Sequence, residues 1–197
     1  MTSHYALRTT HYVLRVTFWH CPLLVVIIRT VECMMNLTNE DGLILPEDEQ
    51  WMRLALAEAE TAVALGEVPV GAIAVYDGRV VGRGFNRKEA DQDPTAHAEM
   101  IALRETAVYL QNWRLLGVTL YCTLEPCPMC AGAMIQARLP RLVYGAKDTR
   151  FGADGSIVDV LRAKGFNHRV AITGGLLEDE AAALLQQFFQ LLRQGSS

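Results

Sequence analysis

Two strand-like runs meet at an Asp-Gly pair, and that arrangement limits the folds open to this chain more than any other feature. Val68 to Tyr76 and Arg79 to Phe85 flank Asp77-Gly78, residues that tolerate the positive φ angles of a two-residue turn, so the segment is predicted to be a β-hairpin. Upstream, Pro46-Glu47-Asp48-Glu49 opens a helix with proline early and acids in its first turn, where the helix dipole favours negative charge. Met52, Ala55, Leu56, Ala59 and Val63 then recur at helical spacing, and Gly66 closes the segment. Downstream, helix and strand alternate. Asp93-Pro94 caps a helix over Thr95 to Tyr109, Val118 to Leu124 is a strand, and Cys127 to Arg138 is a helix. Leu142 to Gly145 is a strand, Ile157 to Lys164 a short helix, Val170 to Thr173 a strand, and Glu178 to Arg193 a closing amphipathic helix. A hairpin followed by such alternation predicts an α/β layered fold with a mixed sheet of about five strands.

Composition narrows the class further. With 197 residues, 51% apolar, and a net charge of −4, global disorder is excluded and a single buried core can form without a disulfide or metal staple. No repeat or low-complexity tract divides residues 46–197, which are read as one domain. Residues 1–45 read as an N-terminal extension. Its apolar run, Val16 to Ile28, is thirteen residues long, short of the roughly 20 needed to span a bilayer. The following Arg29-Thr30-Val31-Glu32-Cys33 lacks a small-x-small cleavage pattern, so a start at Met34 or Met35 is preferred over a secretory signal. The five cysteines, at 21, 33, 122, 127 and 130, are an odd count that argues for a reduced, cytoplasmic setting, and no membrane partner is expected.

The chemistry concentrates in two short segments, Thr95-Ala96-His97-Ala98-Glu99 and Glu125-Pro126-Cys127-Pro128-Met129-Cys130. Zn²⁺ prefers nitrogen and sulfur donors, and a catalytic site uses three protein ligands with a fourth position left open. His97, Cys127 and Cys130 match that count. Both segments fall at predicted helix starts, where exposed N–H groups favour thiolate over thiol. Glu99, two residues past His97, can reach the open side of such a site and move a proton there. An isolated HxE or CxxC carries little information. Together, thirty positions apart, they form the H-x-E…P-C-x-x-C pattern of zinc nucleobase deaminases.

Beyond that pattern, residues 48 to 193 closely resemble the bacterial tRNA-specific adenosine deaminase family. The resemblance runs through Glu67-Val68-Pro69-Val70-Gly71-Ala72, Gly84-Phe85-Asn86-Arg87, Asp93 to Glu99, Leu124 to Gly132, Tyr144-Gly145-Ala146-Lys147-Asp148, Gly155-Ser156, Asn167-His168-Arg169-Val170, Gly174-Gly175 and Phe188-Phe189. It implies a three-layer α/β/α cytidine deaminase-like fold, with one zinc per subunit held by His97, Cys127 and Cys130. It further implies hydrolytic conversion of the wobble adenosine, position 34, of a tRNA anticodon to inosine, with Glu99 as proton shuttle and ammonia released. By the same resemblance Asn86 hydrogen-bonds the flipped nucleotide and Val70 walls the base. Asp148 and Asn167 contact neighbouring nucleotides, and Phe188 or Phe189, of which Phe189 is the candidate carried forward, stacks on a flanking base. Each has a plainer reading from local structure: Asn86 and Asp148 suit turns, Val70 is a strand valine, and an amphipathic helix needs apolar residues at 188 and 189. A homodimer is implied as well, and the apolar helices around Met134 offer a candidate surface for it.

The expected partner is a tRNA anticodon stem-loop, which requires local positive charge. Arg138, Arg141, Lys147, Arg150, Arg162, Lys164 and Arg169 outnumber Asp148, Asp154 and Asp159 over residues 138–169, a balance of 7 − 3 = +4 inside an acidic chain. Two other functions remain open at this point: deamination of a free base or nucleoside such as guanine or cytosine on the same fold, and a non-catalytic zinc module that binds RNA. The unliganded Glu99 speaks against the second.

Overall fold

In the computed structural model the described residues are 41–195, so the readings of residues 1–40 lie outside them. Ten elements follow in order: α1 (Asp48–Ala64), β1 (Gly71–Tyr76), β2 (Arg79–Phe85), α2 (Lys88–Asp91), α3 (Ala98–Leu110), β3 (Val118–Leu124), α4 (Pro128–Gln136), β4 (Arg141–Ala146), β5 (Ala171–Gly174) and α5 (Glu178–Gly195). The strands form one mixed sheet in the order β2-β1-β3-β4-β5. β1 runs antiparallel to both β2 and β3, while β3, β4 and β5 are parallel. The hairpin closes as its sequence predicts, with Asp77 at φ 49° and Gly78 at φ 67°.

Alternation along the strands separates two cores. Ala72, Ala74, Leu120, Cys122, Leu142 and Tyr144 face α3 and α4, whereas Ile73, Val75, Tyr121 and Val143 face the Met52 and Ala55 side of α1. With α5 packing on β4, helices cover both faces, giving the three-layer α/β/α cytidine deaminase-like fold expected from the sequence. Glycine permits the closest approach: a Cβ at Gly84 would collide with the Ala98 carbonyl oxygen, and one at Gly82 with Thr106 and the Ala102 carbonyl. Those absent side chains let the first turns of α3 lie directly on β2.

Several element boundaries move by one to three residues, a short helix over Lys88–Asp91 is added, and one predicted helix is missing; two of the shifts bear on the site. α3 begins at Ala98 and not at Thr95, because Asp93 Oδ1 accepts hydrogen bonds from the Thr95 N–H (2.8 Å) and hydroxyl (2.7 Å), folding residues 93–95 into a turn. α4 begins at Pro128, after Cys127. No helix forms over 157–164. The amides of Ile157 and Val158 donate to Gly152, and those of Val160 and Leu161 to Ala153, so an upstream loop takes the hydrogen bonds a helix would use internally. Residues 41–45, on the extension side of the boundary drawn at 46, hydrogen-bond to the domain: Gly42 N–H donates to Ile172 (2.8 Å), and the Leu43 carbonyl accepts from Arg141 (2.7 Å) and Thr173 (2.8 Å).

Two surface expectations need correction. Arg141 contributes nothing to a basic face, being 1% exposed and paired with Asp48 at 2.7 Å, and Arg162 pairs with Asp41 and Asp154. Met134 itself is fully buried against the sheet, so a dimer surface on the helices around it would use their other side chains.

Candidate active site

The shifted helix starts determine how the key residues are presented. His97 and Cys127 are both N-cap residues with extended backbone, at φ −76° and ψ 150° and at φ −73° and ψ 169°. Their side chains therefore project past the ends of α3 and α4 instead of lying along them. Cys130 follows one turn into α4 and points back to the same spot. As a result Cys127 Sγ, Cys130 Sγ and His97 Nδ1 are mutually 3.6 Å apart. Those are the edges of a tetrahedron with arms of 2.0 to 2.3 Å, for which the expected edge is about 3.5–3.8 Å. Two thiolates and an imidazole are a zinc donor set, and three donors leave one corner for a non-protein ligand, so the residues present fit the ion.

Electrostatics agree with the geometry. The thiol hydrogen bond from Cys130, with further help from His97, holds Cys127 down to about 4 despite burial. That same pairing pushes the Cys130 thiol up, and the bond to Cys127 raises His97. Metal ligation by cysteine requires the thiolate, so binding an ion here would release whatever protons the two thiols hold. Glu99, 3% exposed in the first turn of α3, is raised by burial, with His97 opposing.

A cavity of about 700 Å³ opens over these groups. Val70, Asn86, Asp148 and Phe189 line it together with His97, Glu99 and Cys127, so four of the five substrate-contact candidates converge here. Asn167 does not: it is exposed, and its side-chain oxygen accepts from Arg138 at 2.6 Å. Of the aromatic pair, Phe188 is buried and Phe189 faces the cavity, the two rings meeting edge to face at 5.5 Å. Arg150 stands over the Phe189 ring at 5.5 Å, and Lys88 and Lys147 add positive charge to the lining.

Two buried acids support the walls and carry no role in the sequence reading. Glu125, 2% exposed, accepts from the amides of Asp148 (3.2 Å), Asp154 (2.8 Å) and Ser156 (3.3 Å) and from the Ser156 hydroxyl. One side chain thereby ties down the loop that carries Asp148, Arg150 and Phe151. Those hydrogen bonds outweigh burial and hold the Glu125 carboxyl below its usual range. Glu67, 1% exposed, accepts from the Asn86 side-chain amide (3.1 Å) and the Ala90 N–H (2.8 Å). The available signal was chemical: each is an acid beside an apolar strand and a proline, where a charge must find partners.

Comparison with known proteins places these features. The family model of MafB19-like deaminases matches residues 46–193. The tRNA-specific adenosine deaminase of Haemophilus influenzae is 50% identical over 148 residues, covering 75% of this chain and 86% of that protein. That of Bacillus subtilis is 43% identical over 150 residues, covering 76% and 93%. Among solved structures, one from a study of A-to-I editing by tRNA:A34 deaminases at the wobble position aligns with a TM-score of 0.67 and 45% identity, covering 69% of this chain and 99% of that one. A guanine deaminase from Nitrosomonas europaea aligns with a TM-score of 0.61 at 25% identity, covering 90% and 98%.

Proposed function

The chain belongs to the tRNA-specific adenosine deaminases, and from that premise we propose that it hydrolyses the wobble adenosine of a tRNA anticodon to inosine with release of ammonia. The observation that carries the reading is the 3.6 Å triangle of His97, Cys127 and Cys130 beside a buried Glu99 at a cavity of about 700 Å³. His97, Cys127 and Cys130 would hold one zinc ion per subunit; bound there, zinc supplies an activated water as nucleophile near neutral pH.

The chain's own groups account for the rest. Glu99 takes the proton released by the attacking water and delivers it to N1 of the adenine; it then takes the proton of the new C6 hydroxyl and passes it to the departing amine, which leaves as ammonia. Water adds across the N1–C6 bond, the bond from C6 to the exocyclic amine breaks, and the product is inosine, hypoxanthine still attached to its ribose. Val70 lies against the flipped base, Asn86 hydrogen-bonds the nucleotide, and Asp148 and Phe189 meet its neighbours. Stacking on Phe189 suits single-stranded loops, whose bases can be splayed out. Asn167, which does not line the cavity, would meet RNA farther along the stem-loop. A reducing, cytoplasmic setting goes with the reading, because thiolate donors must stay unoxidised to bind metal. Among the described residues no helix is long and apolar enough to cross a membrane. A homodimer is part of the proposal; exposed Phe151, Ile157, Val158 and Phe166 offer apolar surface that Met134 does not.

The test is an inosine assay on an anticodon stem-loop carrying adenosine 34, run beside free guanine. Turnover of the stem-loop alone is expected. Turnover of guanine alone would replace this reading with that of a free-base deaminase.

A further inference from the structure

Asn86 has its donor end committed. A carboxylate offers lone pairs and no protons, so the Asn86 atom facing Glu67 Oε2 at 3.1 Å must be the amide nitrogen. Glu67 is itself anchored. Its Oε1 accepts from the Ala90 N–H at 2.8 Å, and its backbone N–H donates to Ala62 at 3.0 Å. The Asn86 backbone is held as well, donating to Val70 at 3.0 Å. With Glu67 1% and Asn86 7% exposed, the amide has no room to exchange partners with solvent. The amide nitrogen has two N–H groups, of which Glu67 takes one; with the nitrogen end held there, the side-chain oxygen is the acceptor left for the cavity, which Asn86 lines beside His97 and Glu99.

We propose that Glu67 is a positioning residue that locks the Asn86 amide with its oxygen toward the substrate, so that the site presents an acceptor there and selects a hydrogen-bond donor on the nucleotide. The proposal rests on the reading of Asn86 as a substrate contact. Adenosine within a strand has two donors, the ribose 2′-hydroxyl and the exocyclic amine; its ring nitrogens only accept. An amide nitrogen turned into the cavity would face no acceptor where an acceptor now serves, and would leave the substrate donor unpaired.

The Glu67→Gln substitution keeps the shape and reverses the logic. The Ala90 N–H is backbone and cannot turn, so the oxygen of the introduced amide stays on it and the introduced amide nitrogen faces Asn86. Asn86 must then flip to accept, and its nitrogen enters the cavity. Adding Asn86→Asp to the same protein reverses the pair once more. The new carboxylate accepts from the introduced amide with one oxygen and shows the other to the substrate.

The experiment measures kcat/KM on the adenosine-34 stem-loop for full-length Glu67→Gln, Asn86→Asp, the double variant and Asn86→Ala, with zinc content and thermal midpoint recorded for each. Each of Glu67→Gln and Asn86→Asp is expected to lose about 10- to 100-fold, the usual cost of one mismatched buried hydrogen bond, with zinc retained. The double variant should return to within about threefold of the wild type, since the coupled change restores the acceptor. Recovery by the pair is a response that a purely structural Glu67 would not give. Wild-type turnover by Glu67→Gln overturns the proposal, and so does a double variant as impaired as the singles while Asn86→Ala is also impaired. Wild-type turnover by Asn86→Ala instead overturns the contact role of Asn86 on which the proposal stands. With 2′-deoxyadenosine at the target, the Glu67→Gln penalty vanishes if the hydroxyl is the donor and persists if the amine is.

Discussion

On opposite faces of the same sheet lie two buried groups of titratable side chains, and they are finished in opposite ways. On the α1 face, Asp48 accepts from Arg141 through both oxygens (2.8 and 2.7 Å) and from the Tyr121 hydroxyl (2.8 Å). It also accepts from the Leu45 N–H at 2.7 Å. All three side chains are at most 2% exposed, and every charge has a counter-charge within the chain. On the α3 face, His97, Cys127 and Cys130 converge as a triangle of donors beside Glu99, and a cavity opens over them. Adjacent residues of β3 feed the two groups, Tyr121 one and Cys122 the core behind the other. A buried network closed upon itself serves folding; one left open at a cavity serves an external ligand.

The contrast breaks if the two groups respond alike to substitution. The largest effect is expected from Cys127→Ala, which should lose both zinc, measured by metal analysis, and all measurable inosine formation. Glu99→Ala should keep about one zinc per chain while turnover falls by about 10²–10⁴-fold, the range for a positioned acid–base group. Wild-type turnover there would remove Glu99 from the mechanism. Asp48→Asn should do the reverse, leaving kcat/KM at low temperature intact and costing about 3–5 kcal/mol of stability by stranding the Arg141 charge. In a domain of this size that is a fall of about 10 °C in Tm.

Acid sharpens the same point. Burial alone would raise the Asp48 pKa, but hydrogen bonds from Arg141, Leu45 and Tyr121 outweigh it and hold the carboxyl below its ordinary value of 3.8. A carboxyl with a lowered folded pKa stabilises the protein above the unfolded pKa, and that contribution is lost as pH falls through the folded value. Urea unfolding from pH 6 downward should therefore show an acid-dependent loss below about pH 4 that Asp48→Asn reduces. The smallest effect is expected from Lys147→Ala, which removes one cation from the cavity lining. It should weaken stem-loop binding modestly and lower the salt slope by about 0.7 for one phosphate contact to a single strand.

Much of this was readable from residue order. β3 occupies Val118–Leu124 as its apolar pattern predicts, and the hairpin turns at Asp77-Gly78, because both signals are local. The cluster of candidate donors was readable because H-x-E and C-x-x-C restrict chemistry by residue type and short spacing alone. The helix expected over 157–164 failed because its amides bond to Gly152 and Ala153, partners set by the path of a loop. The basic stretch over 138–169 was overcounted for a related reason: nothing near Arg141 in sequence announces Asp48, 93 residues away. Glu67 and Glu125 sat inside recognisable segments, yet their partners at Asn86 and at 148–156 are visible only in space.

Periodicity, turn chemistry and the identity of the donor atoms are properties of residues within a few positions of one another, and the sequence alone determined them for this chain. Only the tertiary structure decided that two helix N-termini meet with three donors 3.6 Å apart, which buried acids find partners, and that the Asn86 amide is tied to Glu67. Each of those outcomes depends on the distance between groups far apart along the chain, and that distance is set by strand order and by helices resting on glycine-bare strands.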